Sequence, residues 1–137
     1  MERKTQVIKF INAFVKVFLV VICLMINACQ STTITEDEFD SEIWKKDKNG
    51  CLGERLKLLE DFNAVKGKMT DLSEKQIRSL LGAPDQIQLF ERSQKFYIYY
   101  IETGSQCGKS GKEGRHYQIR FSSLNQVNEV SLALPVN

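Results

Sequence analysis

The chain has 137 residues, with 19 Lys and Arg against 17 Asp and Glu and a net charge of +2. That length bounds the fold to one small domain, and so small an excess of base gives no argument for a basic patch, which a phosphate backbone requires, so no nucleic acid is expected. One histidine and four cysteines are a thin supply for a metal site of three or four ligands, so neither a metal nor a cofactor is expected.

The first segment carries Arg3, Lys4, Lys9 and Lys16 against Glu2, followed by an uncharged run from Val17 to Ile26 and then Asn27-Ala28-Cys29. A basic start, a short apolar run and a small residue before the cut are the parts of an export signal. Crossing roughly 30 Å of hydrocarbon takes about 20 apolar residues, and this run is too short even when counted through Ala28. Residues 1–28 therefore read as a signal peptide. Ile26-Asn27-Ala28-Cys29 resembles the lipobox of bacterial lipoproteins: Ile26 and Ala28 match it, and Asn27 stands where the pattern has a small residue. The resemblance implies cleavage before Cys29, a diacylglyceryl group on its sulfur and attachment to a membrane of the cell envelope through acyl chains. Two or more chains anchor firmly where one is marginal. Gln30 in place of Asp implies the outer membrane, on its periplasmic face, where the organism has two membranes. An ordinary signal with an incidental cysteine is the alternative.

Without residues 1–28 the chain has 109 residues, and because that segment holds four bases and one acid the net charge falls to −1. Cys23 leaves with the signal and Cys29 is assigned to lipid, so Cys51 and Cys107 remain. Two thiols in an exported domain favour one disulfide. It would close a loop of about 57 residues, worth on the order of 4 kcal/mol through the entropy of the unfolded chain. Two separately buried thiols are the alternative.

Residues 29–41 read as the lipidated cysteine and a polar, acidic, flexible tether, and residues 42–137 as the folded domain. Phe39, Ile43 and Trp44 are the first large apolar residues and are expected to dock as a short helical turn. Asp47-Lys48-Asn49-Gly50 signals a turn. Leu52, Leu56, Leu59 and Phe62 predict a helix from Leu52 to about Val65, with Glu54, Arg55, Lys57, Glu60 and Asp61 on its polar face. Ser73 and Gln76 form a capping box that opens a second helix with Ile77, Leu80 and Leu81 as its apolar stripe. Gly82 suits a left-handed C-terminal position, and Pro84 forbids continuation.

Beyond Pro84 the apolar period becomes two. Gln86 to Phe90 is a first strand, residues 91–94 a turn, and Lys95 to Glu102 a strand apolar on both faces that belongs inside the sheet. Thr103 to Gly114 is a long glycine-rich loop. Arg115 to Ser122 alternates Tyr117, Ile119 and Phe121 with polar residues, Asn125 marks a turn, and Val127 to Leu134 is the last strand. The expected class is α+β, with two N-terminal helices packed on a three- to four-stranded antiparallel sheet.

The run Asp71 to Asp85, with its capped helix and its Leu81-Gly82-Ala83-Pro84 turn, resembles the signature segment of the BamE (SmpA/OmlA) lipoprotein family and its superfamily. Tyr97 to Tyr100 sit where that family has an aromatic strand. The resemblance covers roughly residues 52–134 in element order and implies an ααβββ domain on a small outer-membrane lipoprotein that supports insertion of β-barrel proteins. Superfamily relatives include inhibitors of secreted enzymes. Cys51, Cys107 and the glycine-rich loop depart from the pattern, and no contact residue of the family is carried over.

Gly104-Ser105-Gln106-Cys107-Gly108-Lys109-Ser110 has one residue too few for a P-loop and no helix after it, so no nucleotide is expected. Cys107 with His116, oriented by Asp85 or Glu113, is a weaker thiolate–imidazole candidate for an enzyme. Tyr97 and Tyr99 are the candidate partner-binding residues, since aromatics dominate binding hot spots; a place in the core or at its rim is the commoner alternative for such a group. The expected role is non-enzymatic: a lipid-anchored interaction domain for another envelope protein, with the outer sheet face and loop 103–114 as candidate surfaces. The alternative is an inhibitor that inserts that loop into a secreted enzyme.

Overall fold

The computed structural model describes residues 33–90 and 94–134, with isolated helical positions 3, 6, 14–16 and 18 in the first segment. The chain divides into two units, Met1–Thr32 and Thr33–Asn137, and the second carries the fold. The lipobox-like residues 26–29 lie outside the described residues. Among the described residues no helix is long and apolar enough to cross a membrane.

Helix α1, Ser41–Lys46, starts where Asp40 accepts the Ile43 amide at 2.8 Å, with Glu42 in its first turn and Lys45 and Lys46 in its last. These charges oppose the helix dipole. Six residues cannot hold a helix alone, and packing does so here. The Trp44 ring stacks on Phe62 at 4.7 Å and tilts against Phe39 at 5.4 Å, and Phe62 stacks in turn on Tyr117 at 4.1 Å. This aromatic column joins the helices to the sheet. The flexible tether expected over 29–41 is accordingly too long: Phe39 is buried and Ile34 packs against the core, because burial of these side chains outweighs the freedom of a polar segment.

The single helix expected from Leu52 to Val65 is two pieces, α2 (Glu54–Lys57) and α3 (Leu59–Val65), separated at Leu58 with φ −87° and ψ 10°. Its apolar stripe is also phased differently. Leu52 and Leu56 are exposed, whereas Arg55, assigned above to the polar face, is fully buried together with Phe62 and Val65. Arg55 lies seven residues before Phe62 and so shares its face. Helix α4, Glu74–Leu81, carries the expected capping box, in which Gln76 N donates to Ser73 Oγ and Ser73 N donates to Gln76 Oε1 at 2.9 Å. The expected short helical turn is α1, and in place of the two expected helices residues 52–81 form three short α-helical segments.

The sheet is an antiparallel meander, β1 (Gln86–Phe90), β2 (Gln94–Tyr100), β3 (His116–Phe121) and β4 (Val127–Ala133), in the order β1-β2-β3-β4. The domain is α+β, with four antiparallel strands. Strand β2 is internal, as its two apolar faces require. The register aligns Ile87, Tyr97, Ile119 and Val130 in one row, and Gln86, Ile98, Gln118 and Ser131 in the next. Tyr97, Tyr99, Tyr117, Ile119 and Phe121 face the helices and form the core with Trp44, Phe62, Ile77 and Leu81.

Arg55 ties these parts together. Its Nε donates to Trp44 O at 3.0 Å, and its Nη1 donates to Tyr100 O at 3.0 Å and to Asp85 Oδ2 at 2.5 Å. The guanidinium also lies 5.0 Å from the centroid of the Trp44 ring. Asp85 accepts the amides of Asn49 and Tyr100, each at 2.9 Å, while Asp47 accepts those of Leu52 at 2.7 Å and Arg55 at 2.9 Å. A buried ion pair loses about 3–5 kcal/mol when one partner is deleted, because the other charge is left unpaired. Asp85→Ala should therefore destabilise the chain by about that much, and Arg55→Met combined with it should cost less than the sum of the single losses. Denaturant unfolding followed by fluorescence of the buried Trp44 measures both.

Candidate functional site

Cys51 and Cys107, distant in sequence by 56 residues, have Cα atoms 5.7 Å apart and sulfurs at disulfide distance. The bridge closes the base of loop 103–114, and the loop is held there by more than the sulfurs. Gln106 Nε2 donates to Glu102 O at 2.6 Å and Asn49 O at 3.2 Å, its Oε1 accepts from Gly114 N at 3.0 Å, and Ser105 N donates to Lys112 O at 3.0 Å. Residues 105–107 form a 3-10 turn. Arg115 and Glu102 pair at the loop's mouth. Gly50, with φ 65°, lies so close to β2 that a Cβ there would stand 2.8 Å from Tyr100 O. The loop is thus a braced base carrying an exposed tip, residues 108–113.

The other sequence candidates fall into place around this frame. Cys107 faces Cys51, while His116 is buried, with Nδ1 near Gly114 O at 3.4 Å and Nε2 near Gln118 Nε2 at 3.3 Å. Asp85 is committed to Arg55, and Glu113 is exposed on the loop tip. No nucleophile–base arrangement follows, since a bridged sulfur has no thiolate to offer. The glycine-rich run leads into β3 and not into a helix. Among the described residues no three His, Cys, Asp or Glu gather closely enough to hold a metal.

Gly82 takes φ 79° with an extended ψ of −169°. Its carbonyl accepts from Tyr99 Oη at 3.0 Å, so the Leu81-Gly82-Ala83-Pro84 turn is fastened to β2. Tyr97 and Tyr99, the candidate partner-binding residues, are both fully buried, as the core alternative has them. Their hydroxyls find partners beneath the helices: Tyr97 Oη donates to Glu74 and accepts from Arg78 Nε at 3.0 Å. A buried Tyr is stable once its hydroxyl is paired. Burial pushes the Tyr99 phenol far above its ordinary range, and burial followed by Glu113 pushes Tyr100 up to about 12.

Around Tyr97 the sequence concealed a second cluster. Glu74 accepts from Lys95 Nζ as well as from Tyr97, and Lys95 Nζ lies 5.6 Å from the centroids of both the Tyr97 and Phe121 rings. Hydrogen bonds from Lys95 and then Tyr97 hold the Glu74 carboxyl down at about 2. The (i, i+4) spacing of Glu74 and Arg78 on α4 was the one visible sign of it. Two apolar features remain at the surface of the sheet: Ile87, Leu89 and Phe90 stand exposed on edge strand β1, and Leu132 is partly exposed on β4.

No family model, curated protein or solved structure matches this chain significantly.

Two outcomes follow from this geometry. A carboxyl with a lowered folded pKa contributes stability that is present above its ordinary value and is lost as pH falls through the folded value. Between pH 4.5 and about 2 the parent chain should therefore lose stability more steeply than Glu74→Gln, which denaturant midpoints across that window will show. The double substitution Cys51→Ser/Cys107→Ser should cost on the order of 4 kcal/mol and speed amide exchange at Ser105 and Gly108, whose N–H groups the braced base engages.

Proposed function

We propose that this chain is a lipid-anchored protein of the bacterial cell envelope whose small α+β domain acts by binding another protein and not by catalysis. The observation that carries this reading is the placement of Ile26-Asn27-Ala28-Cys29 only five residues ahead of Ile34, the first of the described residues to pack on the core. Five residues reach at most about 18 Å when fully extended, less than the width of a small domain. An acylated Cys29 would keep the domain against the membrane surface and raise its effective concentration for neighbours there.

A BamE-like assignment is the finer part of the proposal. Three features support it: the capped α4, the positive φ of Gly82 before Pro84, and antiparallel strands whose second member bears Tyr97 and Tyr99. With Gln30 after the cysteine, the periplasmic face of an outer membrane is the favoured location, and support of outer-membrane protein assembly or of envelope integrity the favoured role. The inhibitor reading has less support, because Gly108 with φ 76° and Gly111 with φ 115° turn the loop tip away from an extended, substrate-like course.

Mass spectrometry of the chain recovered from membranes should find an N-terminus at Cys29 carrying a diacylglyceryl group. Cys29→Ser should leave most of the protein unprocessed and out of the detergent phase on phase partitioning. Cleavage at another bond, or unchanged partitioning of Cys29→Ser, overturns the anchor. Affinity capture from solubilised envelope separates the finer readings: barrel-assembly components support the BamE-like role, and a soluble hydrolase supports inhibition.

A further inference from the structure

The two edges of the sheet are built differently. Along β4, Glu129 pairs with Arg120 at 3.1 Å and the ladder is irregular between Arg120 and Phe121. Charge and irregularity are the usual devices that stop an edge from pairing with another chain. Strand β1 has neither. Gln86-Ile87-Gln88-Leu89-Phe90 contains no charge and no proline, and its register with β2 runs without a shift from Gln86 opposite Ile98 to Phe90 opposite Gln94. Among the described residues no strand lies on its outer side. Its apolar side chains are exposed, Ile87 at 46%, Leu89 at 78% and Phe90 at 56%.

We propose that β1 is a self-pairing edge, and that two copies of this chain join antiparallel through it into one continuous eight-stranded sheet. The strand's own pattern identifies the occupant. A two-fold axis perpendicular to the sheet keeps the helix-covered faces of both copies on one side and requires paired residues of like face. With Gln88 on that axis, Ile87 of each copy stands opposite Leu89 of the other. Both residues lie on the face of Tyr97, so the pairing gathers two Ile87 and two Leu89 side chains into one apolar cluster. Gln88 meets its own copy on the opposite face, where amide can bond amide. Cross-strand apolar pairs of this kind are the unit of sheet stabilisation. No like charges oppose one another, because the strand has none. A five-residue strand is short beside the roughly 20–30 residues per side of a stable interface, so the contact is a reversible one.

The inference does not depend on lipid at Cys29. Directly opposed residues of antiparallel strands have Cα atoms about 4.5–5.5 Å apart, inside the range of a disulfide. The test is mild oxidation of the full chain in detergent solution, comparing Gln88→Cys with the parent chain and with Glu129→Cys on the protected edge. Gln88→Cys should give a cross-linked dimer at least about ten-fold faster than either, as direct opposition across the axis requires. Adding Leu89→Lys to Gln88→Cys should abolish the dimer while the Trp44 fluorescence of the folded chain is retained. Equal rates for Gln88→Cys and Glu129→Cys overturn the proposal. So does capture of a foreign polypeptide by Gln88→Cys in envelope membranes without self cross-linking, which would make β1 a site for another protein's strand.

Discussion

The buried pairing of Arg55 with Asp85 is the constraint on which the rest of this domain depends. A guanidinium out of water costs several kcal/mol unless its donors are met, and the chain meets them from three separate places: Trp44 in α1, Tyr100 at the end of β2 and Asp85 after the helix-ending turn. Each acceptor is itself fixed by the arrangement it supports. Asp85 also collects Asn49 and Tyr100 amides, so the turn before α2 and the last residue of β2 are set by one carboxylate. The kinked α2–α3 pair, the Leu81-Gly82-Ala83-Pro84 turn and the entry to loop 103–114 all hang on this one pair. It explains how a domain with such short helices keeps a defined helix layer.

The disulfide extends that frame to the loop. Cys51 follows the turn that Asp47 and Asp85 organise, and Cys107 sits on the 3-10 turn that Gln106 staples to Asn49 and Glu102. The bridge therefore links two segments already held close by hydrogen bonds, and its role is to deny separation to the unfolded chain. The tip at 108–113 is exposed, and it is tied back to the base by Gly108 N donating to Ser105 O and by Ser105 N donating to Lys112 O.

Legibility in the sequence followed the range of the interaction concerned. Gln86–Phe90 was readable to the residue, because alternation and a flanking Pro84 act locally, and the same holds for Ser73 with Gln76 and for the alternating Tyr117, Ile119 and Phe121. The cysteine pair was readable by elimination, on the expectation that the chain is exported. Arg55 was not, because charge reads as surface unless its distant acceptors are known; only its spacing of seven from Phe62 hinted at burial. Tyr97 and Tyr99 were legible as core or as a partner face, and the partners that settle their burial, Glu74 and the Gly82 carbonyl, lie 23 and 17 residues away. The break at Leu58 and the docking of Phe39 depend on the aromatic column of Trp44, Phe62 and Tyr117, which exists only once sheet and helices meet.

The two edges of the sheet and the short path to Cys29 bear on one another. A neutral five-residue edge holds two molecules together only briefly in dilute solution, and its exposure there is a liability. Confinement changes that balance, because tethered partners meet at an effective concentration set by the length of their connection. Cys29 and Ile34 are separated by at most about 18 Å of chain, so on the proposed reading neighbouring copies on one membrane would hold their β1 edges within a narrow layer above it. Under that confinement a brief contact between uncharged edges becomes a more fully occupied one. The protection built into β4, with Glu129 against Arg120, would direct growth to one side of the sheet and limit the assembly to pairs.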